Sequence, residues 1–288
     1  MKTSALRLTG RLAPLLAALA APAAADRIDG LSDPRSWTID KQSRQCTLGR
    51  AITTPEPMTL AISSIVGSDE YSLVLGVAKL PAHDDKPVPV RIQLDGTKTV
   101  IKGTVRFGKL SGSAGEALNL SAIRGADLSA IGRASALRLI YKGKTIGPLP
   151  LPEAAKAVAA LKACLAEHLV ALGADPAQFK PGGGLPVQFR SYARGTVINT
   201  DALRSAGLKF GVDSYYAMTI GERGAIESCR QLGDVQPERV EKLVCQALVG
   251  KIFFRPARDP AGKPVKGVAT YPLRVQLFFV MPNGPTTG

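Results

Sequence analysis

The chain has only two histidines, His83 and His168, and neither has a partner at a spacing that would hold a metal ion. His83 sits in the polar run His83-Asp84-Asp85, which reads as a solvated loop, and His168 lacks a second ligand at i+4 on its helical stretch. Missing too are G-x-S-x-G, H-E-x-x-H and a dinucleotide fingerprint in a suitable context. Gly182-Gly183-Gly184 lacks the Lys-Ser/Thr and the helix start that turn a glycine loop into a phosphate cradle. After residue 25 no stretch approaches the roughly 20 apolar residues of a membrane-spanning helix. These absences argue against the familiar catalytic chemistries, so the chain is read as non-catalytic, with no catalytic residue, cofactor or metal assigned.

What is present begins with a leader. Lys2, Arg7 and Arg11 precede an Ala/Leu-rich stretch from Leu12 to Ala20, and Pro22, Ala23, Ala24 and Ala25 form a small-residue cleavage site before Asp26. Residues 1–25 therefore read as a secretory signal peptide, or as an anchor if retained. The formal charge of +14 falls to +11 without those three basic residues. In an exported chain this excess favours anionic surfaces such as lipid head groups or cell-wall polymers over nucleic acid. Lys and Arg scattered among acids also serve plain solubility. Four cysteines without a C-x-x-C fit an oxidising compartment. Of their three connectivities, only Cys46 with Cys164 and Cys229 with Cys245 gives each half of the chain its own bridge.

About 260 mature residues divide into two units, each large enough for its own core. The break falls at Lys180-Pro181-Gly182-Gly183-Gly184-Leu185-Pro186, and 180–187 reads as a linker or turn. Residues 26–179 carry β-prone runs at Trp37–Ile39, Met58–Ile65, Tyr71–Val77, Val88–Leu94, Thr99–Phe107 and Ala136–Tyr141, spacing that predicts a small sandwich or barrel. Asp95-Gly96 reads as a two-residue hairpin turn. A helix over 152–172 closes this β-rich domain. Its stripe of Ala157, Val158, Leu161, Cys164, Leu165 and Leu169 turns Cys164 toward the core. Trp37 reads as a core anchor.

Residues 188–288 begin with a helix over Thr200–Gly207, capped by Thr200 or Asp201. A hairpin follows, Tyr215–Ile220 and Ala225–Leu232, turning at Glu222-Arg223-Gly224. The next helix has Pro237 at its first position and buries Val240, Leu243, Val244, Ala247 and Leu248, with Cys245 on its flank. A short strand, a Pro-rich turn and a final strand complete an α+β chain. In that last strand Leu273, Val275, Leu277 and Phe279 alternate with Arg274, Gln276 and Phe278, and Pro272 places it near a sheet edge. Such an edge can accept an extended peptide or merely be blunted against aggregation.

Ala202-Leu203-Arg204 before Gly207, the Gly224 turn, the Cys229 and Cys245 pair, Phe254-Arg255-Pro256-Ala257 and Gly262-Lys263-Pro264-Val265 together resemble the TonB C-terminal domain in its cysteine-containing form. The resemblance covers about residues 199–279. It implies a small domain of two helices and an antiparallel sheet, located in the periplasm. There, Leu273 to Phe279 would receive an envelope protein segment, such as one from an outer-membrane receptor, in TonB-related transport. Leu232-Gly233-Asp234-Val235-Gln236 departs from the Ser-Ser-Gly-like turn of that family, and no long Pro-rich spacer or anchor is evident, which puts energy transduction in doubt. The alternative is a structural envelope protein held to anionic cell-wall polymers, with the TonB-like fold used for packing or self-association.

Overall fold

Alternation of more and less buried positions builds many strands of the first half. The structure, a computed structural model, describes residues 26–28, 31–33, 36–53, 57–80, 86–109, 115–189, 198–233 and 235–273. The expected leader at 1–25 and His83 lie outside them. The first half runs β1 (Asp26–Arg27), β2 (Thr38–Gln42), β3 (Gln45–Ile52), β4 (Met58–Ile65), β5 (Glu70–Val77), β6 (Val88–Asp95), β7 (Val100–Lys109) and β8 (Glu116–Arg124). Helix α1 (Gly125–Ile131), β9 (Ala136–Tyr141), β10 (Lys144–Pro150) and helix α2 (Ala154–Ala171) follow. The strands form one antiparallel sheet in the order β1-β2-β3-β4-β5-β8-β7-β6-β9-β10.

In β6, Val88, Val90, Ile92 and Leu94 are buried while Pro89, Arg91 and Gln93 are exposed. The same period across the sheet makes one apolar face roughly 45 Å wide, at about 4.8 Å per strand, and a helix about 10 Å across cannot cover it. The sheet therefore curls around its own core, and its ends meet. Trp37, just before β2, donates from Nε1 to the carbonyl of Pro152, just after β10, at 2.7 Å. Helix α2 buries Ala157, Val158, Leu161, Cys164, Leu165 and Leu169 and packs on β2 and β3. Among the described residues β1 and β10 do not pair, so the architecture is a single curled sheet rather than a sandwich or a closed barrel. The Asp95-Gly96 turn is wider than two residues. Thr97 donates to the Leu94 carbonyl from its amide and its hydroxyl and accepts from Thr99 N, so β7 begins only at Val100.

The second half runs β11 (Val187–Gln188), α3 (Thr200–Ser205), β12 (Ser214–Ile220), β13 (Ile226–Gln231), α4 (Glu238–Leu248), β14 (Phe254–Arg255), β15 (Ala257–Arg258), β16 (Pro264–Val265) and β17 (Gly267–Leu273). An antiparallel sheet, β13-β12-β17, turns Tyr216, Met218 and Ile220 into a core with Leu203 of α3 and Val240, Val244 and Leu248 of α4. On its other face Ala217 and Val268 join the core of the first half. Asn199 caps α3, accepting from Asp201 N and Ala202 N at 2.9 and 3.1 Å, one residue before the expected Thr200 and two before Asp201. Pro237 stands just before α4 rather than at its first helical position.

The glycine-rich stretch is not a free tether. Gly184 exchanges both backbone bonds with Arg258, at 2.9 and 2.8 Å, and β11 pairs with β14. Gly183 is needed for close approach, since a Cβ there would lie 2.6 Å from the Gln178 carbonyl oxygen.

Candidate functional site

The cysteines pair within each half. Cys46–Cys164 ties β3 to α2, and Cys229–Cys245 ties β13 to α4. These bridges fit an oxidising, extracytoplasmic compartment. His168 comes within 4.8 Å of the Cys46 and Cys164 sulfurs, yet both sulfurs are bonded to each other and offer no thiolate to a metal. Among the described residues no helix is long and apolar enough to cross a membrane.

Of the expected receiving strand, Leu273 is described and Arg274 to Phe279 lie outside the described residues. Leu273 ends β17 opposite Ser214, buried in the helix-facing core. Pro272 pairs with Tyr215, and β17 is an outer strand of its sheet, where a missing N–H costs little. The outer side of β17 is nevertheless occupied upstream. Thr270 donates from N to the Gly67 carbonyl at 3.1 Å and from its hydroxyl to the Val66 carbonyl. Lys266 O accepts from Asp175 N and Gln178 Nε2 at 2.9 and 3.4 Å. The turn between β4 and β5 and the start of the Pro176–Phe179 turn thus close this edge from Lys266 to Thr270.

Among the described residues the opposite edge, β13, is closed at its ends alone. Ile226 exchanges bonds with Lys251 and Gly250 at 2.9 Å each, and Gln231 N donates to Glu241 Oε1 at 2.8 Å. Between them Glu227, Ser228 and Arg230 are exposed. Beside this edge lies a cavity of about 150 Å³ lined by Leu172, Ala217, Thr219, Ser228, Cys229, Arg230 and Val268, where the Ser228 hydroxyl donates to Thr219 Oγ1 at 2.8 Å.

A third edge escapes any reading of the sequence as a linker. Leu185, Val187 and Phe189 alternate along and beside β11 and stay 47, 56 and 45 % exposed, an apolar row facing outward. The i, i+2, i+4 spacing was the available signal, hidden by the glycines and prolines around it.

No family model matches the chain, and neither a curated protein nor a solved structure does. The reading of the second half therefore rests on its residues and geometry alone.

In the second half the perturbed groups are Tyr216 and Tyr271, paired across β12 and β17 and packed in the helix-facing core. Burial pushes Tyr71, Tyr141 and Tyr271 up from the ordinary phenol value. Tyr216 is pushed up to about 12, chiefly by burial, with the Ser214 hydroxyl opposing and the Glu241 and Tyr271 charges adding. Burial holds Arg50 below its ordinary value, with Asp33 pulling the other way, and its guanidinium lies 5.7 Å from the Trp37 ring centroid. What the second half offers among the described residues is strand edges and exposed apolar side chains.

Proposed function

We propose that the chain is a non-catalytic binding protein of the periplasm whose second half takes up an extended segment of an envelope protein as an added strand, in TonB-related transport. The observation that carries this is the exposure of Leu185 and Val187, 47 and 56 %, beside β11, a strand that pairs with β14. Exposed apolar side chains grouped beside a strand mark an interaction surface. In strand addition the main chain supplies affinity and alternate side chains supply selectivity. The TonB-like resemblance implies Leu273 to Phe279 as a second receiving segment. Because the first half closes β17 up to Thr270, a peptide would engage it only from Leu273 onward.

Titrating the mature chain with extended peptides from outer-membrane receptors tests this. Saturable binding should weaken about tenfold or more in Val187→Lys, which puts a charge among the exposed apolar residues, or in Gln276→Pro, which removes a backbone N–H from the second segment. Binding that ignores both substitutions, or no saturable binding, refutes strand addition. A second reading is favoured by the Thr270 contacts with Gly67 and Val66: the TonB-like sheet serves only to pack on the first half. That reading predicts no peptide binding at either edge.

A further inference from the structure

The strand order gathers positive charge that the sequence disperses. Residues 86–109 hold six Lys/Arg against one acid, and 133–144 hold four against none. β9 lies beside β6, so these two segments become one continuous ribbon of the sheet. Its outer face carries Arg91 of β6 directly opposite Lys102 of β7, both exposed, and Arg106 further along the same face of β7. Like charges directly opposite across strands destabilise a sheet. Nothing on the face offsets them: the acid Asp95 is taken by Arg138, and among the described residues no ion pair includes Arg91, Lys102 or Arg106.

We infer that this face of β7-β6-β9 is a docking surface for a polyanionic polymer chain of the cell envelope, carrying repeated phosphate or carboxylate groups. Arg91 and Lys102 stand about 5 Å apart at Cβ, and Arg106 lies about 14 Å along the strand from Lys102. One chain of repeating anions can contact all three, whereas a single anion reaches one end of the set. The face lacks what other anionic partners need. Val100 is its one large exposed apolar residue, too little to insert into a bilayer. It presents no exposed aromatic ring on which a nucleobase could stack. The inference is independent of strand addition, which concerns the other half of the chain.

The test titrates the mature chain with long-chain inorganic polyphosphate, with parallel arms of inorganic phosphate, phosphatidylglycerol vesicles and a single-stranded oligonucleotide. Polyphosphate should bind saturably, weaken with salt as screened charges do, and lose about tenfold in affinity in the double variant Arg91→Gln, Lys102→Gln. Lys209→Gln with Lys242→Gln removes equal charge from the second half and should leave binding unchanged. The first double variant should melt no lower than the parent, because it relieves a repulsion, so a loss of binding cannot be ascribed to unfolding. Equal weakening by the two double variants would overturn the site. Binding of phosphate, vesicles or oligonucleotide as tight as polyphosphate and as sensitive to Arg91 and Lys102 would overturn the polymer.

Discussion

Gly224 sets how the β12–β13 hairpin meets the tail of the chain. It turns at φ +80°, and a Cβ placed there would fall inside the van der Waals reach of the Phe254 carbonyl oxygen, a backbone atom that cannot step aside. Gly224→Ala combines a left-handed strain with a backbone clash and should cost about 3 kcal/mol in chemical denaturation. Gly108→Ala, with open space around the new Cβ and an ordinary backbone, should be neutral or stabilise by about 0.5 kcal/mol. Equal effects would mean that Phe254 does not press on the turn. The same contact explains the tail motif that stands out in the sequence. Phe254 lies against Gly224, and Ala257 is fully buried where a Cβ on Gly267 would come within 2.9 Å of it. Phe254-Arg255-Pro256-Ala257 is recognisable as a string, but its cause is a meeting of residues 224, 254 and 267 that no local period encodes.

Among the elements, α4 and β13 are held by both packing and a covalent bond. Val240, Val244 and Leu248 bury one stripe of α4, and Cys245 beside that stripe reaches Cys229 across 16 residues of chain. A closed loop of that length restricts the unfolded chain by roughly 3 kcal/mol. Replacing both Cys229 and Cys245 by serine should lower the denaturation free energy by about that amount while leaving the fold intact. A change under about 1 kcal/mol would show that the helix face alone holds β13. Elements like this one are legible because their period is clean, as are β4 and β9, which span the predicted residues. Others are not. β8 dilutes its buried Leu118 and Leu120 with Ala117, Asn119 and Ser121, residues of low strand preference. β10 carries Gly147, Pro148 and Pro150, which read as breakers in sequence yet are tolerated because β10 is the outer strand of its sheet. β3 has Gly49-Arg50 interrupting its alternation, and α1 is only 7 residues, too short for a helical period to declare itself.

For the whole molecule, the decisive facts are which strands become neighbours and how the halves meet, and neither is written in a local pattern. The Arg91–Lys102 pair exists because β6 and β7 are a hairpin, but which strand lies on the other side of β6 is a choice made by long-range packing, and it is β9. The halves share a core through Ala217, Leu232 and Val268, and Thr270 bonds to the β4–β5 turn. A molecule joined in this way should lose both halves in one transition, and its tyrosines provide the probe. Tyr71 and Tyr141 belong to the first half, Tyr216 and Tyr271 to the second, and burial raises all four above the ordinary 10.0. A phenol whose folded value is raised contributes stability that is complete below its unfolded value and lost as pH climbs through the folded one. For Tyr216 that window runs from 10.0 to about 12. Stability should therefore hold below pH 10 and fall across this range. Tyrosinate absorbance from both halves should rise together with the loss of far-ultraviolet circular dichroism, rather than ahead of it. Two separated steps, one for each pair of tyrosines, would show that the shared core does not couple the halves. The Thr270 contacts would then count as surface docking, and the β17 edge would be free to open without unfolding the curled sheet.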